Sequence, residues 1–355
     1  MSESPDPVPA LEETIRPVVR QALGRDPLRI EPLAGALGLR RFARVWTGLP
    51  HPHTLIARVE QPEDPAGRPP GIPPEPALEP IRALLETSGL PVPARYGADP
   101  ACGVELLEDA GDLTLADAVS GAPDTDRQAL YREACALVPR LQRIADPGGV
   151  AAFARRLDAP YFRYKAALFC EHSLGAGGRR PSAAATRCVE QAFDAIARTV
   201  AEAPQRLAHR DLQSQNLLVR SDRPAGERLC MIDLQGALLA PPEYDLVCLL
   251  RDSYVELPAD EIDALFERTR LDLPDAPEPE VAIQRFDGLS LTRKGKDHAR
   301  FLYAAAVRGD RRYLAYLPAT ERHLRAAAAR LAGRDPAFRA LAELIHELPE
   351  SACGQ

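Results

Sequence analysis

Several signals common in other proteins are missing from this 355-residue sequence, and each absence removes a class of function. No apolar run approaches the ~20 residues that a membrane-spanning helix needs, and the acidic, proline-rich first residues are unlike a signal peptide. The formal net charge of −7 lacks the positive excess of a nucleic-acid-binding surface. The seven cysteines include no C-x-x-C pair and none at metal-ligand spacing from a histidine. We therefore expect a cytoplasmic protein with free thiols, no nucleic-acid partner and no membrane contact, of unknown oligomeric state.

Lysine is also absent from the first 110 residues, whose patterns predict a small α+β lobe. Apolar residues recur there at helical or alternating spacing, in short segments separated by turn residues. The predicted elements are a helix at 11–23, strands at Arg41–Trp46 and Thr54–Val59 that form a hairpin, a helix at Ala77–Glu86, and strands at Ala94–Gly97 and Val104–Leu107. Residues 61–76 contain seven prolines and are predicted to be an irregular surface insertion.

The remaining residues are predicted to form a second, larger and mainly helical lobe. Helical spacing of apolar residues occurs at Asp126–Ile144, Ala151–Cys170 and Pro181–Ala203, and helices return from Tyr244 onward. One strand–loop–strand segment, Leu207–Ile232, interrupts these helices. The sequence thus predicts an α+β chain of two lobes, 1–110 and 111–355.

The strongest motif of the chain lies in the strand–loop–strand segment. Residues 207–219, LAHRDLQSQNLLV, contain the pattern H-R-D-x-x-x-x-N, with Asp211 and Asn216 in place. An aspartate at the start of such a loop can accept the proton of an attacking hydroxyl, and an amide five residues later can hold a metal ion on the phosphates. Asp233 follows an apolar strand seventeen residues beyond Asn216, and an ionised aspartate is a natural Mg²⁺ ligand. We predict Asp211 as the catalytic base and Asn216 and Asp233 as Mg²⁺ ligands.

Each of these residues also has a purely structural interpretation. Asp211 could be a turn residue, Asn216 a helix N-cap and Asp233 the end of a strand, because both residue types favour such positions. Their joint occurrence in the right order and strand context favours the catalytic interpretation. His209 precedes the predicted base by two residues, and we expect it to be structural and to point into the core.

Four further segments make the sequence similar to the aminoglycoside phosphotransferase/choline kinase superfamily. Residues 231–254, MIDLQGALLAPPEYDLVCLLRDSY, resemble the segment I-D-F-Q-D-A … G-P-x-x-Y-D-x-x-S-L-L-R-D of bacterial amino-sugar kinases in that superfamily. Residues 33–46 resemble the nucleotide-covering turn of these kinases, 104–115 their lobe-linking segment, and 167–174 a helix near their acceptor site. These enzymes phosphorylate N-acetylmuramate and N-acetylglucosamine at the anomeric hydroxyl during cell-wall recycling. The resemblance implies a protein-kinase-like two-lobed fold, in which residues 1–110 would bind nucleotide and residues 111–355 would carry the catalytic loop and the acceptor site. It also implies ATP and Mg²⁺ as cofactors and a small-molecule substrate.

The resemblance also assigns roles to individual residues. Arg58 stands where kinases usually have a strand lysine and could hold phosphate oxygens with its wider fork. Glu79 matches a first-lobe helix carboxylate that steadies the phosphate-binding strand, although a solvent-facing glutamate explains it equally well. Asp245 matches an aspartate that braces the catalytic loop, while Arg251 could form a structural ion pair or bind the acceptor. The predicted nucleotide-binding residues are Gly35, Gly38, Arg58, Glu79 and Glu108, and the predicted acceptor-binding residues are Glu171, Gln235 and Arg251.

Because the sequence departs from the family pattern at several positions, the chemical identity of the acceptor is not determined by the resemblance. Ala36 and Gly38 replace an aspartate and a serine of the nucleotide-covering turn, and Gly236 replaces an acidic residue after Asp233. Three hypotheses follow: a kinase of amino sugars, a kinase of aminoglycoside- or choline-type cations, and a pseudokinase that binds nucleotide or nothing. The missing strand lysine favours the last, whereas Asp211, Asn216 and Asp233 favour the first two.

Overall fold

A computed structural model of the protein describes residues 7–34, 40–61, 68 and 71–349. The chain divides into two compact units, one made of Met1–Arg68 with Val92–Asp112 and the other of Pro69–Pro91 with Leu113–Gln355. The boundary between lobes that the sequence predicts, at residues 110 and 111, remains a proposal. No helix among the described residues combines the length and the apolar character needed to cross a membrane.

The first unit packs one helix, α1 (Pro7–Leu23), against a five-stranded antiparallel sheet. The strands lie in the order β1-β2-β3-β5-β4 and are β1 (Arg29–Pro32), β2 (Arg41–Trp46), β3 (Thr54–Val59), β4 (Arg95–Asp99) and β5 (Val104–Glu108). Ile15, Val18 and Val19 of α1 are buried on the side that faces β4 and β5. Ala43 and Val45, two residues apart in β2, are buried in the same core because alternate residues of a strand share a face. The predicted hairpin and the strand pair that follows it are confirmed.

The second unit is mainly helical and contains two small antiparallel strand pairs, β6–β9 and β7–β8. Its helices are α2 (Ile81–Thr87), α3 (Leu115–Val119), α4 (Asp124–Gln142), α5 (Ala151–Ala154), α6 (Ala159–Leu168), α7 (Ala183–Ala201), α8 (Tyr244–Leu250), α9 (Ala259–Asp272), α10 (Pro279–Val307), α11 (Leu317–Arg334) and α12 (Arg339–His346). Its strands are β6 (Arg206–Ala208), β7 (Leu217–Val219), β8 (Leu229–Met231) and β9 (Leu238–Ala240). Shorter turns of helix are a π-helix at Phe169–Leu174 and 3₁₀ turns at Ala176–Gly178, Ser214–Asn216, Leu234–Gly236, Arg311–Tyr316 and Pro336–Phe338.

Two predicted helices have different bounds in the structure. The helix predicted from Ala77 begins only at Ile81, since Glu79 precedes Pro80 and a residue before proline avoids the helical conformation. The helix predicted over 151–170 is broken between α5 and α6, where Leu157 N–H donates to Leu239 O at 2.8 Å. Pro160 lies in the first turn of α6, a position that tolerates a missing N–H group.

Two sequence predictions fall partly or wholly outside the residues that the structure describes. Of the proline-rich segment 61–76, residues 62–67, 69 and 70 lie outside the described residues, and the others contain no helix or strand. Gly35 and Gly38 lie outside the described residues as well. The α+β class, a small antiparallel sheet with one large helical unit, is confirmed.

Candidate active site

The predicted catalytic loop connects β6 to β7 in the second unit and is held at its start by α8. The carboxylate of Asp245, in the first turn of α8, accepts hydrogen bonds from His209 N at 2.7 Å and from Arg210 N at 3.0 Å. The ring of His209 is buried, and its Nε2 donates to Ile232 O at 2.9 Å. The predicted bracing role of Asp245 and the structural role of His209 are thereby confirmed.

Two non-glycine residues of the site have left-handed backbone conformations. Arg210 has φ +79° and Asp233 has φ +63°. Such strain persists only where the surroundings fix the backbone, and it is common at active sites. Both peptide groups of Arg210 are indeed held: its N–H binds Asp245, and its carbonyl accepts from Cys248 Sγ at 3.2 Å and from Arg293 Nη1 at 3.0 Å.

Asp211, the predicted base, is ionised at neutral pH in this environment. Burial by itself would raise the pKa of its carboxyl group, but the positive charges of Arg293, Lys296 and Arg210 outweigh burial and hold that pKa well below its usual range. Arg293 Nη1 donates to Asp211 Oδ1 at 2.7 Å, whereas Arg210 Nε lies 3.8 Å from Oδ2. The carboxylate is about a quarter exposed, so an acceptor hydroxyl can reach it.

Asn216 and Asp233 lie on neighbouring backbone segments. Asn216 Nδ2 donates to Asp211 O at 2.8 Å, which closes the catalytic loop across five residues. Ile232 N donates to Asn216 O at 3.0 Å, so Asp233 directly follows the residue paired with Asn216. The side chain of Gln235 donates to Asp233 Oδ1 at 2.5 Å.

These two residues fit Mg²⁺ held largely by substrate phosphates. An aspartate carboxylate and an asparagine carbonyl are hard oxygen ligands, and Mg²⁺ commonly takes one or two such groups together with phosphate oxygens and water. Within the described part of the chain, no group of three or more His, Cys, Asp or Glu side chains could hold a metal ion without such help. The metal-binding roles of Asn216 and Asp233 remain predictions.

Arg293 of α10 is a site residue that the sequence analysis missed. Its guanidinium contacts the Asp211 carboxylate and Arg210 O through Nη1, Gln213 Oε1 through Nη2 at 3.1 Å, and Asp297 through Nε at 3.1 Å. Arg293 is buried and lies 82 residues from Asp211 in sequence. No local pattern marks it, because its importance comes from where α10 places it.

Asp252 is a second residue that the sequence analysis did not assign. Its Oδ2 accepts from Ser214 N at 2.8 Å and from Ser214 Oγ at 2.5 Å, so it holds the middle of the catalytic loop. Burial raises the pKa of Asp252, while Lys294 opposes that rise. Asp245 therefore holds the start of the catalytic loop, Asp252 its middle, and Arg293 the predicted catalytic base, Asp211.

Arg58 and Glu108, the two predicted nucleotide-binding residues of the first unit that the structure describes, have carboxylate or backbone partners. Arg58 is buried in β3 and pairs with Glu105 at 2.7 Å and with Glu60. Glu108 ends β5 and accepts from Ala94 N at 3.1 Å. The Arg58 guanidinium is thus paired with two carboxylates in this structure. Its phosphate-binding role remains a prediction.

Glu79, in the second unit, lies just before α2 instead of within it. Its carboxylate pairs with Arg82 and accepts from Ala83 N at 3.1 Å, so in this structure it closes the first turn of α2. Its role near the phosphates remains a prediction.

The predicted acceptor-binding residues are not gathered at one place. Glu171 is exposed on the π-helix and lines a cavity of about 340 Å³ with His172, Arg311 and Leu302. Gln235 is buried against Asp233, as described above. Arg251 is buried over the ring of Phe286, 5.3 Å from its centroid, and burial lowers its pKa to about 10.

Comparison with known proteins gives a consistent set of relatives. The sequence profile of the phosphotransferase enzyme family, APH, matches residues 29–280. An N-acetylmuramate/N-acetylglucosamine kinase of Pseudomonas aeruginosa is 26% identical over 332 residues, which cover 92% of this chain and 90% of the relative. The kinase of the same name from Neisseria meningitidis is 26% identical over 260 residues, covering 72% and 75% of the two chains.

Solved structures share the fold at lower sequence identity. The choline kinase LicA from Streptococcus pneumoniae superposes with a TM-score of 0.59 at 15% identity and covers 91% of this chain and 99% of its own. The GDP complex of aminoglycoside 2'-phosphotransferase-IIIa superposes with a TM-score of 0.58 at 14% identity, over 90% and 99% of the chains. The protein-kinase-like fold predicted from the sequence is therefore confirmed.

Proposed function

Since the chain belongs to the phosphotransferase enzyme family and is a small-molecule kinase, we propose that it transfers the γ-phosphoryl group of ATP to a hydroxyl of an amino sugar of the N-acetylmuramate or N-acetylglucosamine type. The observation that carries the proposal is the state of Asp211. This carboxylate is ionised, accessible and fixed on a loop that Asp245, Asp252 and Arg293 hold in place.

The chemical step follows from this geometry. The acceptor hydroxyl oxygen forms a bond to the γ-phosphorus, the bond from that phosphorus to the β,γ-bridging oxygen breaks, and ADP leaves with the electron pair. The hydroxyl proton passes to the Asp211 carboxylate. Because the pKa of Asp211 is held low, the carboxylate is a weak base whose main contribution is to orient the hydroxyl and to take its proton late.

Asn216 and Asp233 are the residues that would hold Mg²⁺. The ion would neutralise charge that develops on the phosphate oxygens. The chain's own contribution is to fix both ligands relative to Asp211, through Asn216 Nδ2 to Asp211 O and through the pairing of Ile232 with Asn216.

The names of the two curated relatives support an amino-sugar acceptor, and each relative matches this chain over most of its own length. Choline and aminoglycosides are the alternatives, because kinases of those names share the fold. A common assay separates them: ATP consumption with Mg²⁺ and, in parallel, N-acetylmuramate, N-acetylglucosamine, choline or kanamycin. We expect turnover with an amino sugar and none with the two cations.

Asp211→Asn is the matched variant for this assay. Removing the carboxylate charge should lower kcat by about 10²–10⁴, the usual contribution of a positioned general base, while nucleotide binding measured by calorimetry is retained. Full activity in Asp211→Asn would exclude Asp211 as the base. Absence of turnover with every acceptor, in folded protein that binds nucleotide, would instead favour the pseudokinase hypothesis.

A further inference from the structure

The chain uses lysine so rarely that the placement of its lysines is informative. Of the 44 lysines and arginines, only three are lysine, namely Lys165, Lys294 and Lys296. All three lie in the second unit, on α6 and α10, and all three side chains are at most 12% exposed. Lysine is normally among the most exposed residues, and a buried lysine needs a partner.

Two of the three lysines have such partners. Lys294 Nζ lies 2.9 Å from Ser253 Oγ and 2.9 Å from Asp297 Oδ2. Lys296 Nζ lies 3.3 Å from Asp297 Oδ1. Asp297 therefore already faces these two lysines and Arg293.

Lys165 is different, because its amine is buried and has no hydrogen-bond partner among the residues that the structure describes. Its Nζ lies 5.0 Å from the ring centre of Phe162 and 5.2 Å from that of Tyr244. Burial, and after it the charges of Lys296 and Arg293, lower the pKa of Lys165 to about 7. An apolar side chain would fill this position at a lower cost in folding free energy, so stability does not explain the lysine.

Lys165 belongs to the surroundings of Asp211. Arg293 and Lys296 act electrostatically on both groups, and Arg293 contacts Asp211 directly. Tyr244, whose ring Lys165 faces, is itself influenced by the charge of Asp211. An acceptor whose hydroxyl reaches Asp211 therefore approaches the positive charges of Arg293 and Lys296.

We propose that Lys165 and Lys296 form a recognition site for a carboxylate of the acceptor, so that the enzyme favours amino sugars that carry a carboxylate over their neutral counterparts. This inference rests on the proposed function and adds the charge of the acceptor to it. The transferred phosphoryl group is the other available anion. The two lysines come from α6 and α10, however, which carry neither Asn216 nor Asp233, the candidate metal ligands.

The flexible stem of lysine suits this role. Its four carbons allow the ammonium group to leave the two ring faces and meet an incoming carboxylate, as a rigid guanidinium fork would not. A carboxylate would supply the hydrogen bonds that the amine lacks and would raise the pKa of Lys165 again. A cationic acceptor such as choline would meet like charges instead.

The test compares kcat/KM for N-acetylmuramate, which carries a carboxylate, with kcat/KM for N-acetylglucosamine, which does not. Wild-type protein should favour N-acetylmuramate by about tenfold, the value of one charged hydrogen bond. Lys165→Met and Lys296→Gln should each reduce that ratio toward one, mainly through a higher KM for N-acetylmuramate. Arg163→Gln, which removes an exposed cation two residues before Lys165 on α6, should leave the ratio unchanged.

Thermal unfolding of Lys165→Met supplies an independent readout. We expect its Tm to equal or exceed that of wild-type protein, because an unpaired buried amine is removed and a side chain of similar size is kept. A lower Tm would show that Lys165 is structural and would overturn the proposal.

The kinetic outcomes separate the proposals. Equal kcat/KM for both sugars in wild-type protein, or equal losses for both in the lysine variants, would overturn the carboxylate site and leave the kinase function standing. Equal losses in kcat would assign the lysines to the phosphoryl group. Failure of wild-type protein to phosphorylate either sugar would remove the proposed function and this inference with it.

Discussion

At the scale of single residues, the site is organised around an acid, Asp211, whose pKa is lowered by neighbouring cations, Arg293 foremost among them. Asp211 is partly buried, and burial by itself would raise its pKa. Arg293 is the neighbour that donates a hydrogen bond to its carboxylate and the largest of the charges that lower its pKa. The spacing of the H-R-D motif predicts Asp211 as the base, but its low pKa is a property that Arg293 confers.

Arg293→Met should therefore change the pH dependence of the enzyme. Without the guanidinium, burial raises the pKa of Asp211, and the base then becomes protonated at a higher pH than in wild-type protein. The acidic limb of the kcat/KM profile should move to higher pH. The kcat at neutral pH should also fall, because the catalytic loop loses the hydrogen bonds that Arg293 donates to Arg210 O and to Gln213 Oε1.

Arg293→Lys is the control for that experiment. It keeps a positive charge beside Asp211 but cannot make all the contacts of the guanidinium fork. Its acidic limb should stay close to that of wild-type protein although its kcat is reduced. An acidic limb that does not move in Arg293→Met, in protein that circular dichroism shows to be folded, would contradict the role assigned to Arg293.

At the scale of elements, the π-helix at Phe169–Leu174 depends on the glycine that follows it. Gly175 N donates to Cys170 O at 3.0 Å, a bond that spans five residues. A Cβ atom at Gly175 would lie 2.1 Å from the carbonyl oxygen of Glu171. Such a contact with backbone atoms cannot be relieved by a side-chain rotation, so the sequence pattern ALFCEHSLG permits this element only with glycine at its end.

Gly175→Ala should lower the free energy of unfolding by at least about 1–3 kcal/mol, the usual cost of overpacking. Gly333→Ala is the matched control, because Gly333 lies in α11 and nothing within 4 Å would meet its Cβ. That control should raise the free energy of unfolding by up to about 1 kcal/mol, since alanine is the better helix former. Chemical denaturation measures both, and equal effects of the two substitutions would show that the clash at Gly175 is absent in solution.

At the scale of the whole molecule, the first unit brings together segments that are distant in the sequence. The buried face of α1 packs on β4 and β5, which begin more than seventy residues later. Ile15 is fully buried in this core and Glu13, two residues before it, is exposed. The apolar spacing of α1 therefore predicts that one face of the helix is buried, but it does not predict which strands cover that face.

Ile15→Ala should destabilise the first unit by about 2–5 kcal/mol, because it leaves a cavity between α1 and the sheet. Glu13→Ala, on the solvent-facing side of the same helix, should change the free energy of unfolding by no more than about 0.5 kcal/mol. Denaturant unfolding measures both variants. Similar values for the two would show that α1 does not pack on the sheet in solution.

The sequence by itself determined the features that depend on residues close together in the chain. Alternating apolar residues on both sides of a turn produced the hairpin of β2 and β3, because strand periodicity is local. The five-residue spacing from Asp211 to Asn216 is likewise sufficient for the hydrogen bond that closes the catalytic loop. The structural role of His209 follows likewise from its position two residues before Asp211, whereas the bracing role of Asp245 follows from the resemblance of residues 231–254 to amino-sugar kinases.

Only the tertiary structure decided the charge and solvation of the site. Arg293, which contacts Asp211, and Lys165, which Arg293 and Lys296 influence electrostatically, lie on helices far from the motif in sequence. Nothing in their neighbouring residues predicts these interactions. The break between α5 and α6 was missed similarly, because Leu157 pairs with Leu239 across 82 residues. Hydrogen bonds within a loop follow from its own residues, whereas desolvation and the pairing of buried charges depend on which distant elements pack against it.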